Sequence, residues 1–182
     1  NDWHLVHLGM LANSGAALVI VAATHVERNG RITHGCLGLY NDDNEAALTR
    51  VIASARRMGT AKFGIQIAHS GRKGSSRRPW EGGGPLKADA DPWPTMAASP
   101  IPFGDGWPTP REATEADMER VRAAFVAAAK RALRISFDEV ELHMAHGYLA
   151  HGFMSPISNR RTDQYGGSLA NRLRSPLSNA RA

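Results

Sequence analysis

The chain has 182 residues, of which 42% are hydrophobic and 21% charged, a composition typical of one soluble globular domain or part of one. It excludes a disordered tail, a collagen-like chain and a coiled coil, and no apolar run approaches the ~18 residues that cross a bilayer. Twenty-two basic against seventeen acidic residues leave a net charge of +5, which weakly favours an anionic cofactor or a polyanion. The single cysteine, Cys36, excludes a disulfide framework and indicates a reducing, cytoplasmic location.

The first part of the chain alternates helical and extended patterns. Leucines at helical spacing predict a helix from Asp2 to Asn13, and the apolar run Ala16–Ala23 predicts a strand covered on both faces. A second helix is predicted to begin near Asp42, with Glu45 in the capping-box position, and to end at Gly59.

The next strand, Lys62 to His69, separates by parity into two faces. One face is apolar and the other is small or polar: Phe63, Ile65 and Ile67 against Gly64, Gln66 and Ala68. The segment from Ser70 to Arg111 is rich in glycine, proline and tryptophan and shows no helical period. Loops of that length are usually functional or disordered.

A third helix is predicted after Thr114, which has Asp117 at the capping-box position. The following strand, Asp138 to Ala145, again divides by parity, with Val140, Leu142 and Met144 on one face and Glu141, His143 and Ala145 on the other. Ser168 is predicted to cap a last helix.

This alternation of helices and strands predicts an α/β fold with parallel strands and right-handed crossovers. A doubly wound sheet would have apolar residues on both strand faces, whereas Gln66, Glu141 and His143 share one face here. An eight-stranded barrel admits polar groups inside, near the carboxyl ends of its strands. The pattern therefore favours part of a (β/α)8 TIM barrel, because three strands cannot close one.

Catalytic groups of such barrels lie at the carboxyl ends of the strands. The candidate positions at these ends are Ala23, Thr24, Gln66, His69, His143, His146 and Tyr148. Two imidazoles three residues apart can donate N–H bonds to an oxygen that gains negative charge, and a nearby phenol can deliver a proton.

Interpretations other than a catalytic one also fit these residues. The two histidines also fit satisfied structural residues, and Gln66 also fits a buried amide bonded to backbone. A metal site is a third interpretation, although no His-x-His pair or strand-borne carboxylate supports it. The basic run Gly71–Arg78 fits a solvated loop, a phosphate site or a nucleic-acid site, but it lacks a lysine-ended glycine-rich loop and the aromatic spacing of an RNA-recognition motif.

Several long segments resemble the old yellow enzyme family of flavin-dependent ene-reductases. The resemblance is carried by Gly64–Lys73, Glu141–Leu149 and the run from Ser155 to Arg172, and it extends from about Asp2 to Arg174. The segment Arg77–Gly82 is most similar to the xenobiotic-reductase branch of the thermophile-like class.

This resemblance implies a barrel that holds FMN non-covalently and takes electrons from NADPH or NADH. The reduced flavin passes hydride from N5 to an activated alkene such as an enone, and some members reduce nitro compounds or nitrate esters. By motif, His143 and His146 correspond to the pair that binds the substrate oxygen, and Tyr148 to the proton donor. Gln66 corresponds to the amide at the flavin's pyrimidine edge, and Ala23 to a backbone contact with FMN. No metal is implied.

The family's first strand and its strands five to eight have no counterpart in residues 1–182. We therefore expect a fragment of a single FMN-binding barrel domain, about strands 2 to 4 with a long loop after strand 3, that is inactive alone. The alternatives are a non-catalytic half-barrel that needs a complementary chain and, less favoured, a nucleic-acid-binding module using the basic loop. The expected parent is a homodimer or homotetramer that binds a small molecule and no membrane. Pro176 predicts that Ser175–Asn179 leave the family's last helix.

Overall fold

The computed structural model describes all 182 residues and is built around a parallel sheet. Its elements, in chain order, are α1 (Asp2–Ala12), β1 (Leu18–His25), α2 (Asp42–Met58), β2 (Lys62–Ala68), β3 (Met96–Ala97), β4 (Arg111–Glu112), α3 (Glu115–Ile135), β5 (Glu139–Leu142), α4 (Leu149–Met154), α5 (Leu169–Arg172) and α6 (Arg174–Arg181). The strands β1, β2 and β5 lie side by side in that order and are all parallel, while β3 and β4 form a separate short pair. No helix combines the length and the apolar character that crossing a membrane would require.

One face of this sheet is closed by helices. Phe63, Ile65 and Ile67 of β2 are fully buried, as the parity of the strand predicts. They belong to a continuous core that also takes in the apolar stripes of α2 and α3. This helix-facing side therefore resembles the outer layer of a (β/α)8 barrel.

The opposite face, which we call the inner face, is open. Leu18 and Ile20 of β1 are 39% and 40% exposed there. The parallel register places Gly64 opposite Glu139 and Gln66 opposite Glu141, so carboxylates and an amide lie next to these apolar side chains. This face would form the interior of a closed barrel.

A bulge interrupts β1. Val21 pairs with Ile65, but the next helix-facing partner, Ile67, pairs with Thr24, so β1 has one residue more than β2 over this step. After the bulge, His25 stands opposite Ala68 on the inner-face side.

The predicted first strand, Ala16–Ala23, is displaced by two residues from the observed one, which runs from Leu18 to His25. The strand continues through the polar residues Thr24 and His25 because the backbone of His25 is paired. Its amide donates to Leu37 O at 2.9 Å, and its carbonyl accepts from the Leu39 amide at 3.0 Å. An apolar run alone does not show this pairing.

The start of α3 confirms the prediction. Helix α2 begins at Asp42 and is capped at its carboxyl end by Gly59, as predicted, but its amino-terminal cap differs from the predicted one. Thr114 and Asp117 form the expected capping box, with the Asp117 amide donating to Thr114 Oγ1 at 3.1 Å. The cap of α2 is Asn41, which accepts from the Asn44 amide at 2.8 Å. Glu45 is not part of a capping box, because its carboxylate faces α3 and accepts from Arg134 at 2.6 and 2.8 Å.

The last strand of the sheet is shorter than the predicted Asp138–Ala145. It ends at Leu142, although the His143 amide still donates to Ile67 O at 2.9 Å. The chain then turns at His146 and Gly147, whose φ angles are 57° and 73°. This left-handed turn redirects the chain toward the end of β2, where the Leu149 amide donates to His69 O at 3.0 Å.

The segment from Ser70 to Arg111 is mostly irregular, as predicted, with three short 3₁₀ turns and the strand β3. At the carboxyl end of the chain Ser168 caps α5 by accepting from the Asn171 amide at 3.2 Å. Pro176 lies in the first turn of α6, and it lacks the N–H that would donate to Arg172. The helix is therefore interrupted between α5 and α6, and it continues to Arg181.

Candidate active site

The chemistry-bearing residues gather at the carboxyl ends of the three parallel strands. His25, His69 and His143 follow or end β1, β2 and β5 in turn, and each is at most 7% exposed. The loop after β5 adds His146 and Tyr148. Parallel strands bring their carboxyl ends to one edge, so residues from three distant parts of the sequence meet there.

His143, His146 and Tyr148 form one cluster. The ring centre of His143 is 5.0 Å from that of His146 and 4.8 Å from that of Tyr148, and both contacts are edge-to-face. The rings of His146 and Tyr148 are 6.3 Å apart. The structure therefore brings together the three residues that the sequence singled out after the last strand.

The hydrogen bonds of His143 determine which nitrogen carries its proton. The Ala145 amide donates to Nδ1 at 3.3 Å, so this nitrogen is an acceptor and the neutral ring carries its proton on Nε2. Nε2 is 3.3 Å from Nδ1 of His146. Burial lowers the pKa of His143, and the nearby His146 lowers it further. The ring is therefore a neutral donor at pH 7.

Tyr148 is half-buried between this histidine pair and Cys36. Burial raises the pKa of its phenol, and the negative charge of a Cys36 thiolate would add to the increase. The hydroxyl therefore stays protonated throughout the physiological range, which a proton donor requires.

A lysine from the loop after β2 holds the turn that carries this cluster. Lys73 Nζ donates to His146 O at 2.8 Å and lies 5.5 Å from the centre of the Tyr148 ring and 4.4 Å from that of Phe103. We call this arrangement the Lys73 clamp. It links the loops of two neighbouring strands through one hydrogen bond and two cation–π contacts.

His69 provides a second link between the same loops. Its carbonyl accepts from the Leu149 amide at 3.0 Å, next to Tyr148. Its Nδ1 accepts from the Gly71 amide at 3.1 Å, which leaves the proton on Nε2, 3.3 Å from Glu27. The backbones pack closely here, because a Cβ on Gly71 would lie 2.9 Å from the Leu149 nitrogen.

Glu27 lies between His69 and Arg120. Burial raises the pKa of this carboxyl group, but the hydrogen bonds from His69 and Arg120 outweigh it, so the net shift is downward. A charged carboxylate therefore orients the His69 ring.

Gln66 lies on the inner face, next to the cluster but outside it. Its Nε2 donates to Glu141 Oε1 at 3.0 Å, so the alternative of a backbone-bonded amide is wrong. Ala23 lies in the β1 bulge, on the other side of β2 from Glu141. The neighbours of Gln66 on this face of β2 are small, but Ala68 is fully buried and a Cβ on Gly64 would lie 3.2 Å from Ile20 Cγ1.

Three further residues shape this site: Lys73, Glu27 and Glu141. In the sequence Lys73 is only part of a basic run and of a family motif, and no local pattern singles out Glu27. Glu141 carried a usable signal, because its parity places it inward, two residues before His143, and the parallel register pairs it with Gln66.

The basic loop makes its contacts within the chain. Arg72 donates to the carbonyls of Ile101 and Pro102 at 3.1 and 3.0 Å, and Arg78 pairs with Glu81 at 2.8 Å. With Lys73 in its clamp, these cations have internal partners, which weighs against a phosphate or nucleic-acid surface here. No three histidine, cysteine or acidic side chains in the structure are grouped to hold a metal ion.

The sequence profile described as NADH:flavin oxidoreductase / NADH oxidase family matches residues 1–180. An NADH:flavin oxidoreductase of Gibberella zeae is 43% identical over 177 residues, which cover 95% of this chain and 43% of the relative. An NADPH dehydrogenase of Geobacillus thermodenitrificans is 42% identical over 170 residues, covering 93% of this chain and 45% of the relative. The match continues through Ser175–Asn179, so the expected departure from the family there is wrong.

Solved structures give the same result. Morphinone reductase superposes with a TM-score of 0.83 at 28% identity, covering all of this chain and 49% of that one. Old Yellow Enzyme from Pichia sp. AKU4542 superposes with a TM-score of 0.82 at 26% identity, covering 98% of this chain and 46% of that one. The chain thus spans about half the length of the relatives and structures it matches.

Proposed function

Because the chain belongs to the NADH:flavin oxidoreductase / NADH oxidase family, with the old yellow enzymes, and forms part of their TIM barrel, we propose that it serves an FMN-dependent NAD(P)H oxidoreductase. Its substrates are activated alkenes such as enones. The observation that carries this proposal is the cluster of His143, His146 and Tyr148 at the carboxyl edge of the sheet, one strand from Gln66.

The inner face fits a flavin held without a covalent bond. Gln66 uses one N–H toward Glu141, so its Oε1 and second N–H remain free for a ring edge. A flat ring beside this amide would lie against the exposed side chain of Ile20, and Ala23 would contact the ring through its backbone. On this proposal, residues 1–182 are a piece of one FMN-binding barrel domain.

The histidine pair supplies the donors for the substrate oxygen. The neutral His143 ring carries its proton on Nε2, and the 3.3 Å contact to His146 is long enough to be exchanged for a ligand oxygen. Two such donors at an oxygen that gains negative charge lower the barrier by several kcal/mol in a water-poor site.

Tyr148 supplies the proton. Its phenol is edge-to-face with His143, and it stays protonated because burial raises its pKa. A bound FMN reduced by NADPH or NADH would supply the hydride for the β-carbon, and the Tyr148 O–H would give its proton to the α-carbon. A donor of this kind contributes about 10²- to 10⁴-fold to the rate.

The range of substrates and the setting of the enzyme are part of the same proposal. Nitro compounds and nitrate esters are further substrates, since their oxygens accept from the same histidine pair. We further propose a cytoplasmic protein, on the strength of its unpaired Cys36, and a homodimeric or homotetrameric parent.

The open inner face supports a second candidate, a non-catalytic half-barrel that needs a complementary chain. Leu18 and Ile20 are exposed on this face, and β1 and β5 are the outermost strands of the sheet. Such edges and apolar surfaces favour association with another polypeptide. We therefore expect little or no NADPH-dependent turnover from the chain alone.

Visible absorption after incubation with FMN and desalting tests both candidates. Retained flavin bands that are lost in Gln66→Ala, but kept in the matched surface variant Gln164→Ala, support the flavin site. Bands that NADPH bleaches and an enone restores, with the enone step slowed in Tyr148→Phe, support the reductase. Equal retention of flavin by the wild type and by Gln66→Ala would contradict the proposed flavin site. A colourless chain that gains flavin absorbance when mixed with the remaining half of a relative would support the half-barrel.

A further inference from the structure

Glu141 and Gln66 stand side by side on the inner face of the sheet. They are register partners in the parallel pairing of β2 with β5, and Gln66 Nε2 donates to Glu141 Oε1 at 3.0 Å. Both side chains are partly exposed toward the open face. Glu139, two residues earlier on the same strand, faces Gly64 and makes no bond to this amide.

The chemistry of the two groups fixes the direction of the amide. An ionised carboxylate can only accept hydrogen bonds, so the end of Gln66 that meets Glu141 must be its NH₂ group. The carbonyl oxygen Oε1 must then point away from Glu141. An isolated glutamine has no such preference, because its two ends differ little in size and exchange by a rotation of about 180°.

We propose that Glu141 is a positioning residue, which holds the Gln66 amide with Oε1 presented to the inner face. The site then offers an acceptor with an N–H donor beside it. A ring ligand fits this pair through a ring N–H next to a carbonyl, as in an imide. The identity of that ligand as FMN, whose pyrimidine ring has an N3–H between two carbonyls, rests on the proposed function.

A purely structural role fits the surroundings of this pair poorly. Both groups are partly exposed, and hydrogen bonds and charges at exposed positions contribute little to stability. Removal of the carboxylate should therefore leave the fold intact and change only the orientation of the amide.

The orientation can be measured in the chain without any ligand. Gln66 and Gln164 are the only glutamines, so selective ¹⁵N labelling of glutamine side chains leaves two NH₂ groups in a ¹⁵N–¹H NMR spectrum, free of the asparagine signals. Gln164 Nε2 donates to Glu115 Oε1, also at 3.0 Å, and serves as an internal reference. Glu141→Met should shift the Gln66 signal and leave Gln164 unchanged, whereas the matched control Glu139→Met should move neither. An unchanged Gln66 signal in Glu141→Met, with circular dichroism showing a folded chain, would overturn the proposal.

The consequence for ligand choice is tested with FMN and N3-methyl FMN, using the quenching of flavin fluorescence. The wild type should bind the methylated ring about tenfold more weakly, since Oε1 then faces no donor. In Glu141→Gln the amide can rotate, so FMN affinity and this discrimination should both fall several-fold.

The two proposals fail in different ways. If Gln66→Ala weakens FMN binding but Glu141→Gln changes neither the affinity for FMN nor that for N3-methyl FMN, the flavin site stands and the positioning role is wrong. If Gln66→Ala leaves FMN binding unchanged, the proposed cofactor site is wrong, and the NMR signal still decides whether Glu141 orients the amide.

Discussion

The two faces of the central sheet are composed differently. On the helix-facing side, Ile65 and its neighbours in β2 are fully buried in a continuous core. On the inner face, Ile20 is 40% exposed and Gln66 and Glu141 bond to each other. The packed core and the polar groups of the proposed site therefore lie on opposite faces of the same strands.

The largest expected difference between the faces is in stability. Ile65→Ala should lower the free energy of unfolding by about 2–5 kcal/mol, because it leaves a cavity in a closed core. Ile20→Ala makes the same chemical change on the exposed inner face and should lower it by less than about 1 kcal/mol. Urea denaturation measures both values. Equal losses would show that the inner face is also covered in solution, for example by a second copy of the chain.

A smaller effect is expected at the carboxyl edge, where the backbones of two loops meet. Gly71 has a φ of 60°, and an added Cβ would lie 2.9 Å from the Leu149 nitrogen. Gly71→Ala should destabilise by about 1–3 kcal/mol, from the left-handed backbone and from displacement of the loop that carries Tyr148. Gly83→Ala is the matched control, because Gly83 has the same φ with nothing nearby. Equal losses in the two variants would show that the loops separate without cost.

The Lys73 clamp should contribute less. Lys73→Met removes one hydrogen bond and the cation over the Tyr148 ring, and should cost about 1 kcal/mol while changing the near-ultraviolet circular dichroism of that tyrosine. Lys73→Arg, which keeps the charge, should retain most of the stability and most of the near-ultraviolet circular dichroism of the tyrosine. Lys87→Met removes a charge elsewhere, and an identical response from it would mean that net charge explains the effect.

The smallest effect is expected from the ion pair between α2 and α3. The hydrogen bond from Arg134, opposed by burial and supported by Arg131, lowers the pKa of Glu45 to about 2. Since this value lies below the unfolded value of about 4.3, the pair stabilises the fold above pH 4.3, and this stabilisation is lost as the pH falls toward 2. Glu45→Gln should therefore flatten the acid part of a stability–pH curve, while Asp105→Asn should not. A curve unchanged by Glu45→Gln would contradict the assignment.

Local patterns were sufficient for much of the fold. The alternation in β2, the Thr114 cap and the approach of His143, His146 and Tyr148 each depend on residues a few positions apart, whose geometry follows from strand or turn periodicity. The family resemblance supplied the roles of these site residues, which remain proposals.

Other features depend on partners distant in sequence. Glu45 fits a capping box by spacing, but it is drawn to Arg134, 89 residues away. Lys73 bonds to His146 across 73 residues, and Gln66 to Glu141 across 75. Such contacts depend on strand register, which a single sequence does not reveal until the neighbouring strands are aligned.

The bulge in β1 reverses the alternation of the strand, so that residues after it face the opposite side from the one their number would predict. Up to Val21 the odd-numbered residues face the helices. After the extra residue the even-numbered Thr24 faces the helices, and His25 lies on the inner side. Regular alternation through both alanines would instead turn the Thr24 hydroxyl to the inner side and the His25 imidazole toward the helices, whereas deleting Ala22 or Ala23 would remove the extra residue and keep both side chains on their present sides. The bulge at Ala22 and Ala23 therefore determines on which side of the strand the threonine hydroxyl and the histidine ring lie.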